Sequence, residues 1–143
     1  MNFQPIFQAN RRSTERMRQI VDCLSETELS QSLRNDWTIA VTLAHLAFWD
    51  QRVIYVIELA RKNNALQLPH FDDPLNDILA PLLSAIPPVE AARLAISKAE
   101  TLDGMLEKCA QEFLEEMMKV NNRLVERALH RNDHLDDIEA ILK

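Results

Sequence analysis

At 143 residues, with 47% hydrophobic content and a single glycine, the chain has the size of one domain and suits long helices on short connections better than a turn-rich sheet protein. Sixteen basic against twenty-two acidic residues give a formal charge of -6, which works against the phosphate attraction behind non-specific nucleic-acid binding. No apolar run has the length needed to span a bilayer, and the first residues lack the basic and apolar regions of a secretory signal, so one cytoplasmic, all-α domain over 1–143 is expected.

The first helix is expected from about Ile6 to Leu24, where Ile6, Met17, Ile20, Val21 and Leu24 recur at helical spacing and Arg11, Arg12, Glu15 and Arg18 take other faces. Ser25-Glu-Thr-Glu28 matches a capping box that opens a short turn. Asn35-Asp36-Trp37-Thr38 offers capping side chains for a second helix over Thr38 to Arg61, whose apolar content is nearly all-round and therefore central. Between Asn63 and Pro88 the prolines interrupt any long helix. Asp73-Pro74 starts a short one, and Pro81 should end or kink it.

A third long helix is expected from Pro88 to about Met118, with Gly104 as its weak point. Asn121-Asn122 separates it from a fourth, Arg123 to Leu142, with the stripe Leu124, Ala128, Leu135, Ile138 and Leu142 turned inward. Cys23 and Cys109 are too few and too distant for a disulfide framework and read as buried free thiols.

Three of the four histidines carry chemistry. His45 shares a helix face with Val41, Phe48 and Trp49; alone it would read as a core histidine satisfied by a carbonyl or hydroxyl. His130 and His134 lie one turn apart on the face of Ile138 and Ile141, and two imidazoles buried side by side are hard to satisfy without a cation or many acceptors. Together they offer three neutral nitrogen ligands with other coordination positions open. His70, in the proline-rich loop, reads as surface. All-nitrogen ligation suits Zn, Ni, Fe, Cu or Co alike.

The run Trp37 to Asp50, with its His-Leu-Ala-Phe-Trp-Asp ending, followed about eighty residues later by His130-Arg-Asn-Asp-His134-Leu-Asp-Asp-Ile-Glu139, resembles the DinB and YfiT-like superfamily of metal-binding four-helix bundles over nearly the whole chain. The resemblance implies an up-down-down-up bundle with a short extra helix between helices 2 and 3. It also implies His45, His130 and His134 around one Zn or Ni ion, and a metal-dependent enzyme that activates a low-molecular-weight thiol for transfer or isomerisation.

Around the histidines, Glu126 and Asp137 each lie within a turn of a ligand and could orient an imidazole or accept a proton, although a solvated helical carboxylate is the ordinary reading of both. Trp37, Phe48 and Trp49 are the candidate pocket wall. Asp50 and Arg52 suit ion pairs across helices, and Asp133 should face water. Two other functions stay open: a hydrolase using metal-bound hydroxide with Glu126 or Asp137 as base, and a non-catalytic stress-related protein with a structural metal. There is no phosphate-binding glycine loop and no nucleophile elbow. The all-round apolar second helix suggests a homodimer, unless the short proline-bounded helix covers it.

Overall fold

The computed structural model describes residues 1–142. They form seven α-helices: α1 (Gln4–Asp22), α2 (Glu26–Leu29), α3 (Ile39–Asn63), α4 (Leu75–Leu83), α5 (Pro88–Glu107), α6 (Gln111–Val120) and α7 (Arg127–Leu142), with a 3-10 turn at Asn122–Leu124. Among the described residues no strand occurs beyond one isolated bridge between Ser32 and Thr38. None of the helices is long and apolar enough to cross a membrane.

Local chemistry sets most boundaries. Pro5 occupies the first turn of α1, where its missing N–H costs nothing. The expected capping box is formed: Glu28 N donates to Ser25 Oγ at 3.2 Å and Ser25 N to Glu28 Oε1 at 3.0 Å. Thr38 Oγ1 accepts from Val41 N at 3.0 Å to open α3. At the other end of α3, Arg61 and Lys62 face the negative end of the helix dipole and Asn64 takes the left-handed conformation, φ 55°.

Helix α3 is the central element, buried along most of its length, and packs most extensively on α5 and also on α4 and α7; α1 lies against α5 and α7. The small residues Ala91, Ala92, Ala95 and Ala99 of α5 are all buried, which lets neighbouring helices approach closely. One part of the core joins Met17, Leu43, Leu46, Leu135 and Ile138; another joins Val53, Ile57, Leu102, Leu106 and Met117. Ala40, Ala44 and Ala91 are covered by Leu83 and Ile86, at and just beyond the end of α4, so part of the apolar surface of α3 is closed off within the chain.

Four expectations need correction. The third long helix is two, α5 and α6, broken over Lys108–Ala110 where no glycine or proline stands. After the break, Leu114 and Met117 join Val53, Leu124 and Val125, so tertiary burial overrides helix propensity there. Gly104 lies undisturbed inside α5. The last helix begins at Arg127 rather than Arg123, after the 3-10 turn. Leu142, expected on the inward stripe of that helix, is 37% exposed; α4 ends two residues past Pro81, with no side-chain cap from Asp73. The thiols are not deeply buried: Cys23 caps the end of α1 and is exposed, while Cys109 is half-buried with Sγ donating to Met105 O.

Candidate metal centre

Helix α3 presents His45, and α7 presents His130 and His134 one turn apart. The ring centroids lie 5.2 Å (His45 to His130), 4.7 Å (His45 to His134) and 4.9 Å (His130 to His134) from one another. One nitrogen of each ring can be chosen so that all three fall within 4.8 Å of one another. His45 Nε2 faces His130 Nε2 at 3.3 Å. The sequence spacing therefore converges in space, although the three rings come from segments eighty-five residues apart.

Burial keeps these rings uncharged. Desolvation, aided by the neighbouring His134, pushes His45 down from 6.5 to about 4. Desolvation, reinforced by Arg127 and the other two histidines, pushes His130 down to about 2. His134 is also lowered by burial, against the opposing pull of Asp137 and Asp133. At neutral pH their lone pairs are available to a ligand-seeking cation.

The donor set fits a transition ion. Two nitrogens each about 2.1 Å from a tetrahedral ion stand about 3.4 Å apart, close to the His45–His130 separation. Without an ion, that facing pair can satisfy only one lone pair by donating a proton across the gap. Three imidazoles and no carboxylate in the cluster suit a borderline ion better than calcium or magnesium.

The cluster opens onto a cleft of about 370 Å³. Trp37 and Trp49 line it, with their rings 5.1 and 6.3 Å from that of His45. Trp49 is fixed by its indole N–H, which donates to Asn76 Oδ1 at 3.0 Å, so α4 helps to set the wall. Phe48 is not part of the lining; it packs edge-on against Trp49 and near Phe71, behind the wall. Neither Glu126 nor Asp137 lines the cleft. Glu126 accepts from Asn122 Nδ2 just ahead of α7, and Asp137 is exposed and acts on His134 through its charge. Asp133 is exposed and pairs with Arg123, while His70 is 90% exposed in its side chain.

Beside the histidines, α7 also carries Arg127 and Arg131, which enter a buried polar network that sequence reasoning missed. Asp50, on α3, accepts from Arg127 Nε at 2.9 Å and from Arg131 Nε at 3.1 Å. Arg131, wholly buried, also donates from Nη1 to Asp103 Oδ1 at 2.9 Å, and Thr14 Oγ1 donates to Asp103 Oδ2 at 2.6 Å. Asn10 bridges α1 to the start of α7, donating to Val125 O at 2.9 Å and accepting from Ala128 N at 3.0 Å. Two aspartates balance two arginines, and the network fixes the register of α7, hence of His130 and His134, against α3. Asp50 thus forms the expected cross-helix pairs. Arg52 does not: Nη2 donates to Pro69 O at 3.2 Å, and the guanidinium stacks on Trp49 and Phe71.

An all-helical protein with a three-histidine cluster able to hold a metal ion is the class these features define. The chain belongs to the DinB superfamily, whose family model matches residues 9–138 and so takes in all three histidines and the cleft wall. Neither a curated protein nor a solved structure matches it.

Proposed function

We propose that this chain is a metal-dependent enzyme in which His45, His130 and His134 hold a divalent transition ion, zinc or nickel, and in which a small thiol is activated for transfer or isomerisation. The observation that carries the reading is that the histidine cluster is not closed over: it opens onto a cleft walled by Trp37 and Trp49. An ion bound by three neutral nitrogens keeps its full double charge and favours a thiolate over a thiol in the remaining position. The chain's own part is to keep the three rings uncharged by burial, to hold α7 in register through Asp50 and Arg131, and to offer flat apolar walls to the ligand.

The hydrolytic alternative needs a carboxylate base in reach of the cleft, and among the described residues none lines it. A purely structural metal would be enclosed, which the cleft argues against. Asp137 enters the proposal as the charge beside His134, and Glu126 as a residue of the turn leading into α7. Residues 1–143 form one cytoplasmic domain in this reading, with α1, α3, α5 and α7 as the long helices of an up-down-down-up bundle and α4 as the extra one. Homodimer formation belongs to it too, resting on Ile78 and Leu82 of α4 and Val89 of α5, which are 62, 67 and 58% exposed. Sedimentation showing only a 16.5 kDa species at micromolar concentration would remove the dimer.

The test is elemental analysis of untagged protein followed by cobalt substitution and a panel of glutathione, bacillithiol, mycothiol and cysteine. About one equivalent of metal per chain is expected, and at least one thiol should alter the cobalt absorption spectrum. No change with any of them at millimolar concentration overturns the thiol reading.

A further inference from the structure

His45, Trp49 and Arg52 follow one another at i, i+4 and i+7, so they stand on one face of α3 and place Arg52 about 10 Å along the helix axis from His45. All three line the same cleft. Among the described residues its wall contains Arg52, Arg123 and Arg127 and no aspartate or glutamate, in a protein whose overall charge is -6. Such a concentration of positive charge against the sign of the whole molecule focuses the field on an anion.

The arginines are not equivalent. Arg127 is paired with Asp50 and Arg123 with Asp133. Arg52 has no carboxylate within ion-pair distance among the described residues, and its one hydrogen bond there leaves from Nη2 to Pro69 O. Its Nε and the Nη2 of Arg127 are buried donors without an acceptor among the described residues. The guanidinium is meanwhile held in place by Trp49 and Phe71, 5.7 and 5.6 Å from its centre, so little side-chain freedom is left to lose when a ligand binds. Burial and the like charge of Arg127 both lower the pKa of Arg52, a cost that a bound anion would relieve.

We propose that Arg52 is the anchor of an oxyanion subsite at the far end of the cleft, and that the ligand taken there carries a carboxylate several bonds from the atom that meets the histidine cluster. Once the pairs of Arg123 and Arg127 are set aside, the wall has a single uncompensated positive charge. That matches a monoanionic carboxylate better than a doubly charged phosphate monoester. The inference rests on the thiol reading for the other end of the ligand. It makes the ligand a thiol acid, with sulfur and carboxylate separated by roughly the distance from His45 to Arg52.

Cobalt-substituted protein titrated with 6-mercaptohexanoate, its amide, 6-mercaptohexyl phosphate and mercaptoacetate tests this. The long carboxylate should bind about tenfold or more tightly than its amide, a preference typical of a charge-assisted hydrogen bond. Arg52→Gln should erase that preference without weakening the amide, and Arg52→Lys should keep part of it; mercaptoacetate, too short to reach, should show no dependence on Arg52. Equal binding of carboxylate and amide, or a preference that survives Arg52→Gln, overturns the subsite while leaving the thiol reading intact. Tighter binding of the phosphate than of the carboxylate overturns the carboxylate assignment. If no thiol changes the spectrum the thiol reading fails, and adipate against adipamide then decides the subsite by thermal shift: stabilisation by adipate alone, lost in Arg52→Gln, supports it, and equal shifts overturn it.

Discussion

Replacing Asp103 by alanine should destabilise the protein more than any surface substitution, though the residue touches neither the histidines nor the cleft. Its side chain is fully buried and so is that of Arg131, to which it is bound at 2.9 Å. Removal leaves Arg131 sharing Asp50 with Arg127, and leaves the Thr14 hydroxyl without its 2.6 Å acceptor. Breaking one side of a buried ion pair costs about 3–5 kcal/mol. At about 3 °C per kcal/mol for a chain of this size, the melting temperature should fall by about 10–15 °C. The control is Glu107→Ala, which breaks the exposed pair with Arg11 and should cost less than about 1 kcal/mol. Asp103→Asn, which keeps an acceptor oxygen for Arg131, should fall between the two. The assay is thermal melting followed by far-ultraviolet circular dichroism on metal-free protein. A drop below about 3 °C for Asp103→Ala would refute the view that this network holds α7 in register.

His130→Ala or His134→Ala should abolish metal retention with little change in helical content, because the helices are held by the buried apolar residues and the arginine–aspartate network; wholesale loss of helix on chelation would show instead that the ion is structural. The metal-free protein should lose stability in acid. Burial holds His45 at about 4 against 6.5, so below pH 6.5 the unfolded chain binds the extra proton and the folded chain does not. From that group alone the loss reaches about 3 kcal/mol by pH 4, and urea melts giving equal stability at pH 7 and pH 4.5 would contradict it. Gly104→Ala should stabilise by up to about 1 kcal/mol, since the new methyl would meet only Arg11 Nη2 at 3.9 Å inside a regular helix; a lower melting temperature would count against it.

Much of the fold was legible because it rests on signals carried by few neighbouring residues. The start of α3 follows from a threonine placed to cap it, the Ser25–Glu28 turn from a capping box, and the central place of α3 from apolar residues on every side. The break between α5 and α6 was not legible, because nothing in Glu107-Lys-Cys-Ala-Gln111 disfavours a helix; the chain turns there so that Leu114 and Met117 can be buried against residues distant in sequence. Cys23 escapes its apolar surroundings for a similar reason. Its apolar neighbours Val21 and Leu24 do pack on the core, but position 23 falls just past the last turn of α1 and points away.

The site divides in the same way. Three histidines announced themselves by residue type and spacing, and their convergence needed only that two inward helix faces meet. The arginines did not, since a charged residue on a helix is ordinarily a solvated one. Yet the signal was present in the buried apolar series that enters and follows the last helix, which runs through Leu124, Ala128, Leu135 and Ile138 and omits one beat. That beat is Arg131, the largest fully buried side chain among the described residues. A charge standing at the phase of a core stripe demands buried acceptors of opposite sign. Asp50, five residues beyond His45, and Asp103, next to the buried Leu102, are where α3 and α5 supply them. Through Asp50, Arg131 and Arg127 tie together the two helices that carry the histidines. Of the three arginines of the cleft wall, Arg52 is the one left without a carboxylate among the described residues, and its charge is the one free to meet a ligand.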